Sequence, residues 1–493
     1  MTTGRVVLLK GFSDMMARAL GIVTFPVVAT YVGADGYGAY GQVHTIVGFI
    51  VPFASLGLGA AMVRFFSASE WTPALSRQVL RVGAVIAVMA GVIAAVMAAL
   101  AGQMNDAFLG YPGGDALFRW GSLLVVLGAV EVWALDLLRA REWLLQYSLI
   151  QLAETALTVA AVLLLLPAGE GILELIQAAV AIKALVLVVS LGTAFARAKP
   201  VAGAPVPERP DYRQMIRFGL PLTVAGLGLW MMNLSDRLII GHYRSPEDLG
   251  RYGAAYTIAL LMILASAPLF LPVYQRFMAA ALKDDRLKIA ADVRLFHRYL
   301  SLCLIPTAVL LASLLVPVVV LLGGSSFEVS YWVAVLLVTG LFIGQYNGLA
   351  HYLLICEGRT VFLRNGWLAC GALNVVLNLI AVPAYGIVGA AAVTFGSFVV
   401  LETVFFRAAS QYVPLRDLYQ VRASLKAIVA AGAGFAGVLA VLAQFGRGGT
   451  GLVVAVIAFV ALYGLVLALV GGLKRTDLDV LLRTIGARRI AHP

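Results

Sequence analysis

The sequence predicts an all-α, polytopic membrane protein with fourteen transmembrane helices. Three observations lead there. Of its 493 residues, 61% are apolar and only 12% charged, too few charges to cover a water-soluble protein of this length. Apolar runs recur from end to end, each of about 20–25 residues, enough to cross a hydrocarbon core of roughly 30 Å as a helix. Finally, the basic residues crowd into alternate loops, the pattern that sets orientation in helical membrane proteins.

By hydropathy the spans fall at about 7–32, 38–66, 78–102, 117–138, 144–166, 171–195, 214–241, 248–278, 294–322, 329–355, 361–383, 386–409, 421–445 and 450–473. Arg5 and Lys10 precede the apolar run Ala19–Val32 of span 1, as basic residues precede the apolar stretch of a signal peptide. No small-residue cleavage site follows it, so it reads as a retained helix. With the N-terminus inside, the outer loops hold only Arg119, Arg244, Arg251 and Arg447 of the 36 Lys and Arg. Arg18, Lys183 and Arg237 lie within spans, and the others fall at inner ends and loops, including the tail after span 14. Both termini are then cytoplasmic. The net charge of +11 is a topology signal: spread over many short loops, it makes no nucleic-acid surface. Cys303, Cys356 and Cys370 fall in or beside apolar runs, with neither metal-ligand nor disulfide spacing, and read as packing residues.

The chain nearly repeats a phrase. "DGYGAYGQVHTI" (Asp35–Ile46) and "EDLGRYGAAYTI" (Glu247–Ile258) match at Gly38/Gly250, Tyr40/Tyr252, Gly41/Gly253, Thr45/Thr257 and Ile46/Ile258, all with an offset of 212. The same offset carries Arg64 onto Arg276. A second echo, "LPAGEGI" around Pro167 and "VPAYGIV" around Pro383, joins spans 5 and 6 to spans 11 and 12. Spans 1–6 and 7–12 are therefore expected to be one design used twice, as parallel repeats about an axis along the membrane normal, forming two lobes around a central cavity. Spans 13 and 14 are additional. The domains follow: an N-terminal six-helix lobe at 1–196, a cytoplasmic Pro-rich linker at 197–213, a C-terminal six-helix lobe at 214–410, spans 13–14 at 411–475 and a cytoplasmic tail at 476–493. The phrase itself reads as structure: Asp35 and Glu247 as acids at a helix start, glycines for close helix contact, tyrosines for the interfacial belt.

Three stretches carry a resemblance: "SLGLGAAMVRFF" at Ser55–Phe66, "LGRYGAAYTI" at Leu249–Ile258, and above all "GRTVFLRNGWLACGALNVVLNLIAVPAYGIVGAAAVT" at Gly358–Thr394. The paired Asn, the Pro and the following Gly-Ile-x-Gly-Ala-Ala resemble the polysaccharide (O-antigen and exopolysaccharide) flippase family. That family belongs to the multidrug/oligosaccharidyl-lipid/polysaccharide (MOP) exporter superfamily. The resemblance implies a carrier in the bacterial inner membrane that turns a polyprenyl-diphosphate-linked oligosaccharide from the cytoplasmic to the periplasmic leaflet by alternating access. It also implies a cationic cavity, and a polysaccharide polymerase and glycosyltransferases as partners. Lipid II flippases usually carry an Arg-Asp pair further along span 1 than Asp14 and Arg18 lie here, which leaves a lipid II flippase as an alternative reading rather than the leading one.

Charges inside a bilayer are costly, so each is a functional candidate. The basic ones are Arg18, Lys183 and Arg237; the acidic ones are Asp14, Glu131, Glu154, Asp236 and Glu402. A diphosphate needs cations to replace its water, and Arg suits bidentate contact. Arg18, Arg64 and Arg276 are the candidates for capture, with Lys183 and Arg237 deeper; Arg64 and Arg276 also suit simple positive-inside anchoring. The chain carries no G-x-x-x-x-G-K-[ST] phosphate loop, so an ion gradient, the membrane potential or cargo consumption must drive transport. Glu154 is the first proton- or sodium-coupling candidate and Asp14 the second, the alternative for Glu154 being a structural pair with Lys183. Pro26 and Pro221 are hinge candidates. Asn374 and Asn378, four apart on span 11, suit helix-joining hydrogen bonds. The five histidines are scattered and no paired-carboxylate or nucleophile motif stands out, so no enzyme is expected, and no cofactor or metal. An ion-coupled multidrug or cation antiporter of the same superfamily is the alternative reading; a scaffold that only recruits glycosyltransferases leaves the intramembrane charges unexplained.

Overall fold

The computed structural model describes residues 3–66, 71–197, 212–283, 285–346 and 348–472, with side chains from Val23 onward apart from 197, 212, 268, 271, 272, 274, 275, 415 and 416. Nearly all of the expected linker 197–213 and the whole of the expected tail 476–493 lie outside the described residues. So do the side chains of Asp14 and Arg18.

Among the described residues every element is helical. In chain order they are α1 (Thr3–Ser55), α2 (Leu58–Phe66), α3 (Pro73–Ala99), α4 (Ala101–Phe108), α5 (Gly114–Ala140), α6 (Leu144–Leu165), α7 (Ile172–Arg197), α8 (Tyr212–Tyr243) and α9 (Pro246–Ala259). Then follow α10 (Leu261–Ala281), α11 (Arg286–Gly323), a 3-10 turn at Ser325–Phe327, α12 (Tyr331–Tyr346), α13 (Gly348–Cys356), α14 (Thr360–Ala409), α15 (Leu415–Leu418), α16 (Val421–Phe445) and α17 (Gly449–Leu469). With Pro246–Ala267 and Tyr331–Cys356 each taken as one helical stretch, eleven stretches of the described residues are long and apolar enough to cross a membrane, or twelve if the bent pair Val23–Ser55 and Leu58–Phe66 is one span. Large apolar side chains such as Leu164, Val188 and Leu469 point outward, as they do where the solvent is hydrocarbon.

The count falls short of the fourteen expected because two helices run through expected loops. α1 passes Gly33 (φ 68, ψ −174) and α14 passes Gly386 (φ 60, ψ −142), each a single non-helical residue. Only glycine takes such angles without strain, and both sit where the sequence places a boundary between spans. A straight helix of the 50 residues of α14 would be about 75 Å long, far beyond one bilayer. α2 diverges from α1 by 47°, after Leu56 and Gly57, both at positive φ.

Local chemistry explains the ends. Thr72 caps α3, its hydroxyl accepting from the Leu75 N–H at 3.1 Å, with Pro73 opening the helix. The start of α9 is capped by Ser245, whose hydroxyl accepts the Asp248 N–H at 3.2 Å. Glu247, expected as an acid at a helix start, lies in the first turn of α9, paired with Arg251.

The chain divides into two compact units. One covers Met1–Thr257, Leu322–Val329 and Arg364–Ser397. Its core packs Leu58, Met62, Phe66, Leu75, Val79, Ile86 and Trp133 from α2, α3 and α5 with Trp71, which lies just before α3. Gly83 lets the Trp133 ring close on α3, where an added Cβ would lie 2.6 Å from it. In the same unit the two copies of the repeated phrase meet: a Cβ on Gly38 would lie 2.2 Å from the Pro246 carbonyl oxygen, and one on Gly250 1.9 Å from that of Ala34. The second unit covers Ile258–Leu321, Ser330–Leu363 and Phe398–Pro493. In it Ile305 and Leu314 of α11 pack with Ala431, Val438, Leu452 and Phe459 of α16 and α17.

Candidate functional site

The first unit carries two charged clusters inside its spans. In the first, Lys183 of α7 donates to Glu131 Oε2 of α5 and to Glu154 Oε1 of α6, each at 2.6 Å. Glu131 is almost wholly buried, its side chain 4% exposed, while Lys183 and Glu154 keep 28% and 22%. Such charges persist in a low dielectric only when paired and hydrogen-bonded. Two carboxylates around one ammonium leave a single negative charge if both are ionised, so the trio has room for one more positive charge. The expected deep cation Lys183 is thus already engaged, by Glu154 as the alternative reading had it, and by Glu131. Glu131 is visible in the sequence as an intramembrane acid, but only the packing of α5 against α7 brings it to Lys183.

The second cluster surrounds Asp236 and Arg237 on α8. Adjacent helical residues point about 100° apart, and these two find different partners. Asp236 is 1% exposed. Its carboxylate accepts from the Tyr252 hydroxyl at 2.5 Å, the Thr394 hydroxyl at 3.3 Å and the Arg237 N–H at 2.8 Å. The Arg237 guanidinium lies over the Tyr256 ring, 5.0 Å from its centroid, a cation–π arrangement; its Nε is buried with no hydrogen-bond partner among the described residues. Next to Asp236, Asn378 donates to Asn374 at 3.0 Å, and Asn374 donates to Ser397 at 3.2 Å and accepts from Ser235 at 3.3 Å. The asparagine pair thus ties α8 to both halves of α14. Among the described residues, no group of three or more His, Cys, Asp or Glu could hold a metal ion.

The repeat mates Arg64 and Arg276 have different surroundings. Arg64 is exposed at the end of α2 and lies 4.4 Å over the Phe218 ring of α8. Just before it, Gly57 meets Gly219, where a Cβ would fall 2.3 Å from the Gly219 carbonyl oxygen. Arg276, in the second unit, pairs with Asp292 of α11 and lies 5.6 Å over Phe296. Arg64 has no carboxylate partner among the described residues, whereas the charge of Arg276 is largely answered. As for the hinge candidates, α8 continues through Pro221, and α1 breaks at Gly33, seven residues beyond Pro26.

Comparison with known proteins places this geometry. In fold the chain is similar to the lipid II flippase MurJ in an inward closed conformation, at 12% identity and a TM-score of 0.74, over 97% of this chain and 99% of that one. It is similar to an inward-facing multidrug resistance MATE family transporter of the MOP superfamily, at 13% identity and a TM-score of 0.63, over 82% of this chain and 97% of that one. A MOP superfamily transporter from Pyrococcus furiosus aligns at 14% identity and a TM-score of 0.51, over 82% and 95%. No curated protein matches the sequence significantly. A family profile described as polysaccharide biosynthesis protein matches residues 27–331, more than half of the chain. The fold is similar to that of these MOP superfamily transporters, and the chain belongs to the polysaccharide biosynthesis protein family.

Proposed function

We propose that the protein flips a polyprenyl-diphosphate-linked oligosaccharide from the cytoplasmic to the periplasmic leaflet of the bacterial inner membrane, for surface polysaccharide biosynthesis. The observation that carries this reading is the family match over residues 27–331 on a chain whose fold follows a lipid II flippase over nearly its whole length. Fourteen spans result when α1 and α14 are each divided at their non-helical glycine; an even number puts both termini on one side, and the bias of basic loops makes that side the cytoplasm. Spans 1–6 and 7–12 form two lobes, 1–196 and 214–410, that alternate in access. The reciprocal approach of Gly38 and Gly250 supports that reading, because a residue touches its own repeat mate only beside a pseudo-twofold axis.

In this scheme Arg18, Arg64 and Arg276 capture the diphosphate, Arg64 with the freest charge of the described two. Arg237 and Lys183 act deeper, and Pro26 and Pro221 flex as the lobes move. The coupling ion is bound by Glu154 together with Glu131, where the trio with Lys183 leaves room for one positive charge, with Asp14 as the second site.

The test is deletion of the gene. The lipid-linked oligosaccharide should accumulate on the cytoplasmic face, and the intact gene, but not Arg64→Gln with Arg18→Gln, should clear it. Unimpeded appearance of the glycan outside, with new sensitivity to cationic drugs, would overturn the flippase reading. That result would favour an ion-coupled multidrug antiporter, the reading supported by the likeness to a MATE transporter.

A further inference from the structure

The second unit contains a cavity of about 240 Å³ that none of the assignments above uses. Its lining includes His297 of α11, Phe342 and Tyr346 of α12, Glu402 and Phe406 of α14, and Tyr419 of the connector between α15 and α16. The rings form a box. Tyr346 and Tyr419 are nearly parallel, 26° apart with centroids 6.5 Å apart. The His297 ring stands across both, at 76° and 4.8 Å to Tyr346 and at 83° and 5.5 Å to Tyr419. Phe342 backs Tyr346 at 5.1 Å and Phe406 backs Tyr419 at 4.3 Å. The Tyr346 hydroxyl is fixed by Ser301 at 2.8 Å and Ser424 at 3.0 Å. The box is thus built on a hydrogen-bonded frame.

Two polar groups face this aromatic wall. Glu402 supplies a carboxylate. His297 supplies a donor whose identity is settled by its other nitrogen. Nδ1 accepts the Gln420 backbone N–H at 3.0 Å, and a backbone N–H can only donate, so the ring proton sits on Nε2. The residue is 2% exposed, and Nε2 has no hydrogen-bond partner among the described residues. Leaving a buried donor unmade is costly. The other titratable or charged groups around it are Tyr346, Tyr419 and, one turn back on α11, Arg294, which is held by Asp417 at 3.0 Å.

A ligand that fits must bring a cation to the aromatic faces and the carboxylate, and an oxygen acceptor to Nε2–H. Aromatic boxes closed by an acid are built for ammonium groups. The depth agrees. Leu418 and Tyr419 lie between the apolar helices α14 and α16, and the 38 residues of α11 span about 57 Å, so its first third, with His297, reaches headgroup level.

We propose that this cavity binds a small organic ammonium carrying an oxygen acceptor two or three bonds from its nitrogen, the chemistry of ethanolamine and its phosphoesters. The source is a lipid headgroup or the free amine. Binding here is independent of the flippase reading, since it is measured without transport.

The full-length protein in detergent is titrated with phosphatidylethanolamine, with phosphatidylglycerol of the same acyl chains, and with glycerophosphoethanolamine, and bound ligand is read by native mass spectrometry. Phosphatidylethanolamine should bind at least about tenfold tighter than phosphatidylglycerol, and Glu402→Gln should abolish that difference. Tyr419→Leu, at a residue 44% exposed and so safe for folding, should do the same. Competition by glycerophosphoethanolamine identifies the free headgroup as sufficient; absence of competition, with the tenfold preference retained, identifies the lipid as the source. Equal binding of the two lipids overturns the proposal. So does a preference that survives in both variants, or displacement of the amine by a neutral monosaccharide.

Discussion

Gly38 and Gly250, which hold the same place in the two copies of the repeated phrase, lie against each other. A Cβ on Gly38 would come within 2.8 Å of the Gly250 nitrogen, and one on Gly250 within 3.1 Å of the Gly38 nitrogen. The contact is reciprocal beyond this pair: each glycine faces a carbonyl, of Pro246 or of Ala34, and the offset of 212 carries Ala34 onto Pro246. Glycine is required here by the approach of backbone to backbone, since both residues lie in regular helix.

Gly38→Ala and Gly250→Ala should each therefore cost about 1–3 kcal/mol through overpacking. Gly41→Ala, also within the phrase but with nothing within 4 Å of its added Cβ, should stay within about 0.5 kcal/mol. Melting temperatures of the three variants in detergent check this; equal losses at all three positions would falsify the contact.

Lys183 answers two carboxylates, so removing it is worse than removing the whole trio. Lys183→Met should destabilise by about 3–5 kcal/mol, leaving buried Glu131 uncompensated. The triple variant Lys183→Met, Glu131→Gln, Glu154→Gln should recover most of that loss. Thermal unfolding of the two variants decides it, and a triple variant no better than the single one refutes the pairing.

Arg64 and Arg276 separate under the same substitution. Asp292 is buried, its side chain 4% exposed, and its second oxygen has no partner among the described residues. Arg276→Gln should cost about 1–3 kcal/mol by stripping its remaining strong donor, and Asp292→Asn in the same chain should restore part of it. Arg64→Gln should change stability by less than about 0.5 kcal/mol while impairing transport. A stable Arg276→Gln protein would show that the ion pair adds nothing.

Tyr252→Phe removes the hydroxyl that serves buried Asp236. The expected loss is about 1–3 kcal/mol, and Asp236→Asn should reduce the additional effect of Tyr252→Phe when the two are combined. A double-mutant cycle on melting temperature measures the coupling, and strict additivity contradicts it.

Much of the fold was legible because a bilayer leaves the chain few choices. Backbone polar groups must be satisfied within each helix, so runs of apolar residues and the charges between them outlined the spans. Gly33 falls between expected spans 1 and 2, and Gly386 is the first residue of expected span 12; each interrupts what is otherwise a continuous helix. Glu247 was legible as an acid at a helix start, but that Ser245 caps α9 is shown only by the geometry that brings its hydroxyl to the Asp248 N–H.

By itself, then, the sequence determined the class of solvent, the positions of the helices, the repeated phrase and which charges lie where charge is costly. Tertiary structure decided their partners. Glu131 joined Lys183 from 52 positions away, Thr394 joined Asp236 from 158, and of two arginines alike in sequence and repeat position both lie over an aromatic ring but only Arg276 found an aspartate as well. The His297 box draws on four separate helical or connecting segments. Helix periodicity fixes what lies three or four residues away, whereas a charge or a hydrogen-bond donor is answered by whatever packing brings within about 3 Å.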